Sequence, residues 1–216
     1  ARHILEHAHD VPRFMAALKE LVSPDGYIVF EVPDCTSALE HDNFLVIVWE
    51  EHLSYFTPHT FRQSFAIGGL SLVRLDSFSY PLENALVGTA RGRGGIAPSP
   101  PANNVLEETA RITGYSDTLG HYRQKISNYL SAFRVERGKI ALLGAGHLTC
   151  TFVNLLELSD AFEFVVDDNP NKQGMYMPGS RLPIVASASL REQDIKLCLM
   201  GVSPESEPAV VRKNRP

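Results

Sequence analysis

The chain is poor in cysteine: three residues in 216, Cys35, Cys150 and Cys198, scattered singly. That spacing excludes a disulfide framework and a close-spaced zinc cluster, and it reads as isolated buried thiols. No run approaches the roughly 20 continuous apolar residues of a membrane helix. The N-terminus lacks the basic-then-apolar pattern of a signal peptide, so the expectation is a cytoplasmic protein with no membrane partner. A basic stripe is missing too. Residues 1–101 hold 7 Lys/Arg against 12 Asp/Glu, and residues 102–216 hold 13 against 13. Without excess positive charge to neutralise phosphates, DNA and RNA are excluded as expected partners.

What remains is 44% hydrophobic and 21% charged, enough apolar side chain for real cores. The length is long for one domain and comfortable for two. Apolar residues at helical spacing predict a helix over about 11–22, with Asp10 as N-cap, Pro12 in the first turn and Ser23-Pro24-Asp25-Gly26 as the stop. Tyr27–Val32, rich in β-branched and aromatic residues, reads as a buried strand closed by Pro33. Thr57-Pro58 starts a second helix that Gly68-Gly69 ends, and residues 70–78 and 83–91 read as an antiparallel pair at a sheet edge. A Gly/Pro-rich loop over 92–104 then precedes a long helix over about 105–134, which Gly114 and Gly120 are expected to break or bend. Finally, strand 138–143, a helix through about 158, strand 162–166 and the candidate strands 182–185 and 197–202 form βαβ units of a small parallel sheet.

Chemistry concentrates in Trp49-Glu50-Glu51-His52-Leu53-Ser54-Tyr55-Phe56. An imidazole titrates near neutral pH, and an adjacent carboxylate holds its tautomer, which equips the pair to move a proton. The alternative is an exposed Glu-Glu-His at a helix end. Trp49 and Tyr55 flank the pair, and aromatics in such places serve cores as well as sites. His3, His7 and His9 lie close in sequence but share no helical face, so no metal site is expected.

Gly144-Ala145-Gly146, between a strand and a helix and followed by Asp167-Asp168, has part of a dinucleotide fingerprint. Thr149 stands where the third glycine belongs, so a nicotinamide-dependent oxidoreductase is the weakest of three readings. Lys172 and Arg181 occupy polar loops at the carboxyl side of a strand, where α/β sheets place ligands, and are candidates for gripping phosphate.

Taken in order, Leu5-Glu6-His7, Ser23–Pro33 and Glu51–Phe56, followed by Gly144–Gly146, Asp168–Gly174 and Met177–Ile184, resemble the S-adenosylmethionine-dependent sugar C-methyltransferases. The resemblance runs along nearly the whole chain. It implies an α/β fold: residues 1–101 as the C-terminal half of a class I, Rossmann-like methyltransferase domain, 102–137 as linker and connecting helix, and 138–216 as a second small Rossmann-like domain. It implies a methyl transfer from S-adenosylmethionine to carbon of a nucleotide-linked keto-sugar, with His52 as base, Glu51 as its orienting partner and His7 hydrogen-bonding near the substrate. Trp49, Tyr55, Lys172 and Arg181 become substrate-binding candidates. Trp49 replaces the family's tyrosine, and a ring N–H donates but cannot act as a phenol. The family's glycine-rich cofactor loop has no match, so no residue is assigned to the cofactor. The resemblance places residue 1 near the fourth strand, and the expectation is a fragment or truncated homologue that oligomerises or takes a complementing chain. The alternative is a non-catalytic sugar-nucleotide-binding or scaffold remnant.

Overall fold

A computed structural model describes residues 1–36, 39, 48–49, 51–80, 83–92 and 105–213. Glu50, nearly all of the 92–104 loop and the last three residues lie outside them. The chain divides into two compact units, Ala1–Thr118 and Leu119–Pro216.

In the first unit a 3-10 turn, Leu5–His7, leads into helix α1, Val11–Glu20. Asp10 caps α1 by accepting from the Arg13 N–H, and Pro12 occupies the first turn, where its missing donor costs nothing. Strand β1, Tyr27–Asp34, continues past Val32 and through Pro33. Helix α2, Pro58–Ile67, opens on a reciprocal capping box between Thr57 and Thr60. Strands β2, Ser71–Phe78, and β3, Asn84–Arg91, complete an antiparallel sheet in the order β1-β3-β2. Both outer strands run antiparallel to β3 and therefore parallel to each other, so β3 is a late strand inserted between them. The far side of β1 is also engaged, since Ala1 and His3 bond its Val29 and Glu31 backbone in parallel.

Alternation along β1 sends Ile28, Phe30 and Val32 into a core with Leu5, Met15, Phe56, Phe61, Phe65 and Leu86. Phe30 meets Phe65 edge-on at 5.4 Å and Phe65 meets Phe61 at 4.9 Å, the tilted geometry that aromatic quadrupoles favour. Gly88, paired with Phe30 across the sheet, leaves the space those rings fill: a Cβ there runs into the Phe65 ring.

Helix α3, Val105–Glu136, is one uninterrupted helix, a correction to the expected break at Gly114 and Gly120. A Cβ at either glycine meets nothing, so each costs only backbone entropy of about 1 kcal/mol, which a 32-residue cooperative helix absorbs.

The second unit holds β4, Ile140–Leu143; α4, His147–Leu155; β5, Val165–Val166; β6, Ile184–Val185; α5, Ser189–Glu192; β7, Leu197–Met200; and α6, Glu207–Lys213. Its four strands form a parallel sheet ordered β6-β5-β4-β7. Strands β5 and β6 are shorter than their apolar runs suggest, and α4 stops before a 3-10 turn at Ser159–Ala161. Ile140, Ala141, Leu142, Val165 and Val166 are fully buried, as parallel strands covered on both faces require. The molecule is thus mixed α/β, consistent with a Rossmann-like methyltransferase fold. Among the described residues, no helix is long and apolar enough to cross a membrane.

Candidate functional site

Beyond the carboxyl end of β1, residues 51–57 return alongside it. The return is fixed by backbone bonds: Cys35 N–H donates to the Phe56 carbonyl, and Leu53 and Ser54 N–H both donate to the Glu6 carbonyl at 2.8 and 3.0 Å. Leu5 and Phe56, buried in the core on either side, anchor the two segments that this clamp joins. A turn from Trp49 to His52 and the Tyr55 hydroxyl donating to the Trp49 carbonyl shape the returning loop.

This arrangement brings His7, His52, Trp49 and Tyr55 together across more than 40 residues of sequence. The His7 and His52 rings lie 4.8 Å apart edge to face, Trp49 stacks over His52 at 6.0 Å, and Tyr55 approaches its edge at 6.1 Å. His7 Nδ1 lies 2.9 Å from the Glu51 carbonyl oxygen. A carbonyl only accepts, so Nδ1 carries the proton, and a neutral His7 keeps its lone pair on Nε2. Glu51 therefore orients an imidazole through its backbone, a contact that the Glu-His adjacency did not reveal.

Sequence reasoning missed Glu6. Its side chain is 1% exposed, and neither carboxylate oxygen has a hydrogen bond. The carboxylate, His7 and His52 each offer an atom within 4.8 Å of the others. The histidine grouping that the fold builds is thus His7 with His52, not His3-His7-His9. No motif marks Glu6; the only signal was its place next to His7. The surroundings are acidic. Burial and the nearby Glu6 charge raise the Glu83 pKa, opposed by His3. Glu31 is held below its ordinary value by its bonds to Arg2, against some desolvation. Burial pushes the Cys35 thiol up to about 12, so it is no nucleophile.

In the second unit, Leu143, Gly144, Val166, Asp167, Asp168 and Ser187 line much of a cavity of about 310 Å³ at the carboxyl ends of β4 and β5. The glycine turn beside it is already filled. Asp167 accepts from Ala145 N–H at 2.8 Å and from Lys172 Nζ at 3.2 Å, while Lys172 also donates to the Ala145 carbonyl. Burial works to raise the Asp167 pKa, but the Asn169 and Ala145 N–H groups and Lys172 outweigh it and hold it low. Thr149, fully buried, donates its hydroxyl to the Gly144 carbonyl and shares that proton with the Gly201 carbonyl at 3.3 Å. It closes the turn against β7 instead of admitting a pyrophosphate. Lys172 is therefore an internal tie. Arg181 stands exposed with a left-handed backbone, φ 58°.

Residues 1–75 match a methyltransferase domain, and residues 102–205 match a C-methyltransferase C-terminal domain. The chain is 24% identical to the C-methyltransferase NovU of Streptomyces niveus over 193 residues, 85% of this chain and 46% of the relative. It thus spans about half the length of that relative. A methyltransferase domain implies a methyl-donor cofactor in general. The self-filled turn at Gly144–Gly146 does not fit one. Both domain types thus stand in order along one chain, which is similar in this to the C-methyltransferases that its motifs resemble.

Proposed function

We propose that this chain carries the acceptor side of a methyl transfer from S-adenosylmethionine to carbon, with a nucleotide-linked keto-sugar as acceptor. The observation that carries the reading is the His7–His52 pair at the carboxyl end of β1, with the His7 tautomer set by the Glu51 carbonyl. A ketone acidifies the adjacent C–H, and an imidazole with an available lone pair removes that proton to give an enolate. His52 is the base on this reading and His7 a hydrogen-bonding group near the substrate. Trp49 and Tyr55, 36% and 41% exposed, offer aromatic faces to a sugar ring. Arg181, exposed in the second unit, remains a candidate phosphate contact.

Proton abstraction is testable without the methyl donor. A nucleotide-linked keto-sugar incubated with the chain in deuterated water should gain deuterium at the carbon beside the ketone, and His52→Ala should slow that exchange by about 100-fold or more. A second reading, a sugar-nucleotide-binding scaffold without catalysis, is favoured by the self-filled glycine turn. Substrate binding without exchange would select it.

A further inference from the structure

We propose that Glu6, His7 and His52 form a binding site for a divalent transition ion of the zinc class. The ion takes the lone pair that would make His52 a base, so the metal-bound site and the proton-abstracting site are alternative states of the same residues.

The first support is Glu6. A carboxylate 1% exposed with neither oxygen hydrogen-bonded is an expensive arrangement, because an ionised group out of water demands a partner. The nearest basic group, His3 Nδ1, stands 3.5 Å from Oε1 without hydrogen-bond geometry, and its other ring nitrogen faces Glu31 at 3.3 Å. Arg2, the fixed cation nearby, is already paired with Glu31. Glu83, partly buried, adds further negative potential. The position lacks a concentrated positive charge, and a divalent cation supplies one.

The second support is the donor set. Two imidazoles and one carboxylate are the ligands that zinc-class ions take in open sites, leaving a further position for water or substrate. His7 has the arrangement of a metal ligand, donating Nδ1–H to a backbone carbonyl so that Nε2 is left to coordinate. His52 places a ring nitrogen within 4.8 Å of the other two donors. The third support is spacing. With the three donor atoms within 4.8 Å of one another, an ion at their centre lies no more than about 2.8 Å from each. Bonds of about 2.0–2.2 Å then require each side chain to close by less than about 1 Å. Two of the three thiols compete weakly: burial raises Cys35 to about 12 and Cys198 to about 11, which keeps both protonated.

The test is titration of the chelator-treated chain with Co²⁺, read by its visible absorption, and with Zn²⁺, read by thermal melting. One Co²⁺ per chain is expected, with the intense bands of a low-coordinate site and a metal-dependent rise in Tm. Glu6→Gln and His52→Ala should each weaken binding at least about 10-fold. His9→Ala, at an exposed position, should bind as the unaltered chain does. Glu6→Gln has a second signature: by removing the buried charge it should melt higher than the unaltered chain without metal, yet gain nothing from Zn²⁺. Absence of the bands and of any Tm rise up to about 1 mM metal would overturn the proposal. So would Glu6→Gln binding as tightly as the unaltered chain. If Glu6→Gln fails to fold, His52→Ala decides: retained affinity overturns the site and lost affinity supports it.

Discussion

At Asp167, three donors converge on one carboxylate, so the residue couples stability to pH. Its folded pKa is depressed, so its contribution is fully present above the ordinary carboxylate value of about 4 and is lost as pH falls through the lower folded value. Asp167→Asn should cost about 2 kcal/mol at neutral pH, through weakened bonds to Ala145 and Lys172, and the deficit should shrink toward pH 3. Denaturant unfolding at pH 7 and pH 3 measures both. The sequence showed Asp167 as an acidic residue after a strand, and that much was legible because strand and turn signals are local. Its partner was not, since Lys172 was read as facing a phosphate and instead ties down the Ala145 carbonyl. Glu6 was less legible still. A carboxylate's burial is set by Leu53 and Ser54 bonding its backbone from nearly 50 residues away, and no periodicity encodes that.

Elements were easier to read because their signals are short-range. Asp10 with Pro12, and Thr57 with Pro58, marked two helix starts within a residue, since capping is decided by groups two or three positions apart. Glycines were not readable in this way, because their meaning depends on what surrounds the absent Cβ. The same substitution should therefore have opposite signs at two sites. Gly88→Ala drives a methyl into the Phe65 ring in a closed aromatic core and should destabilise by about 1–3 kcal/mol. Gly114→Ala, on a helix face with nothing within reach, should stabilise by about 0.5–1 kcal/mol. Equal shifts in urea midpoint for the two variants would show that the helix or the sheet core is packed otherwise. Thr57→Ala, which removes half of the capping box, should cost about 1 kcal/mol in the same assay.

For the molecule as a whole, the donor side of the reaction is the open account. The methyltransferase-domain match spans residues 1–75, and the chain covers 46% of its relative. The second unit does have a glycine turn between strand and helix, but Lys172, Asp167 and Thr149 occupy the groups that an adenosyl ligand would need. These 216 residues alone should therefore give no heat on titration with S-adenosylmethionine, while on the proposed reading a keto-sugar acceptor should still exchange its proton in deuterated water. That combination separates acceptor chemistry from donor binding. Micromolar donor affinity instead, weakened by substitution at Asp167, would mean that Lys172 swings away and that the second unit's turn is a cofactor site after all.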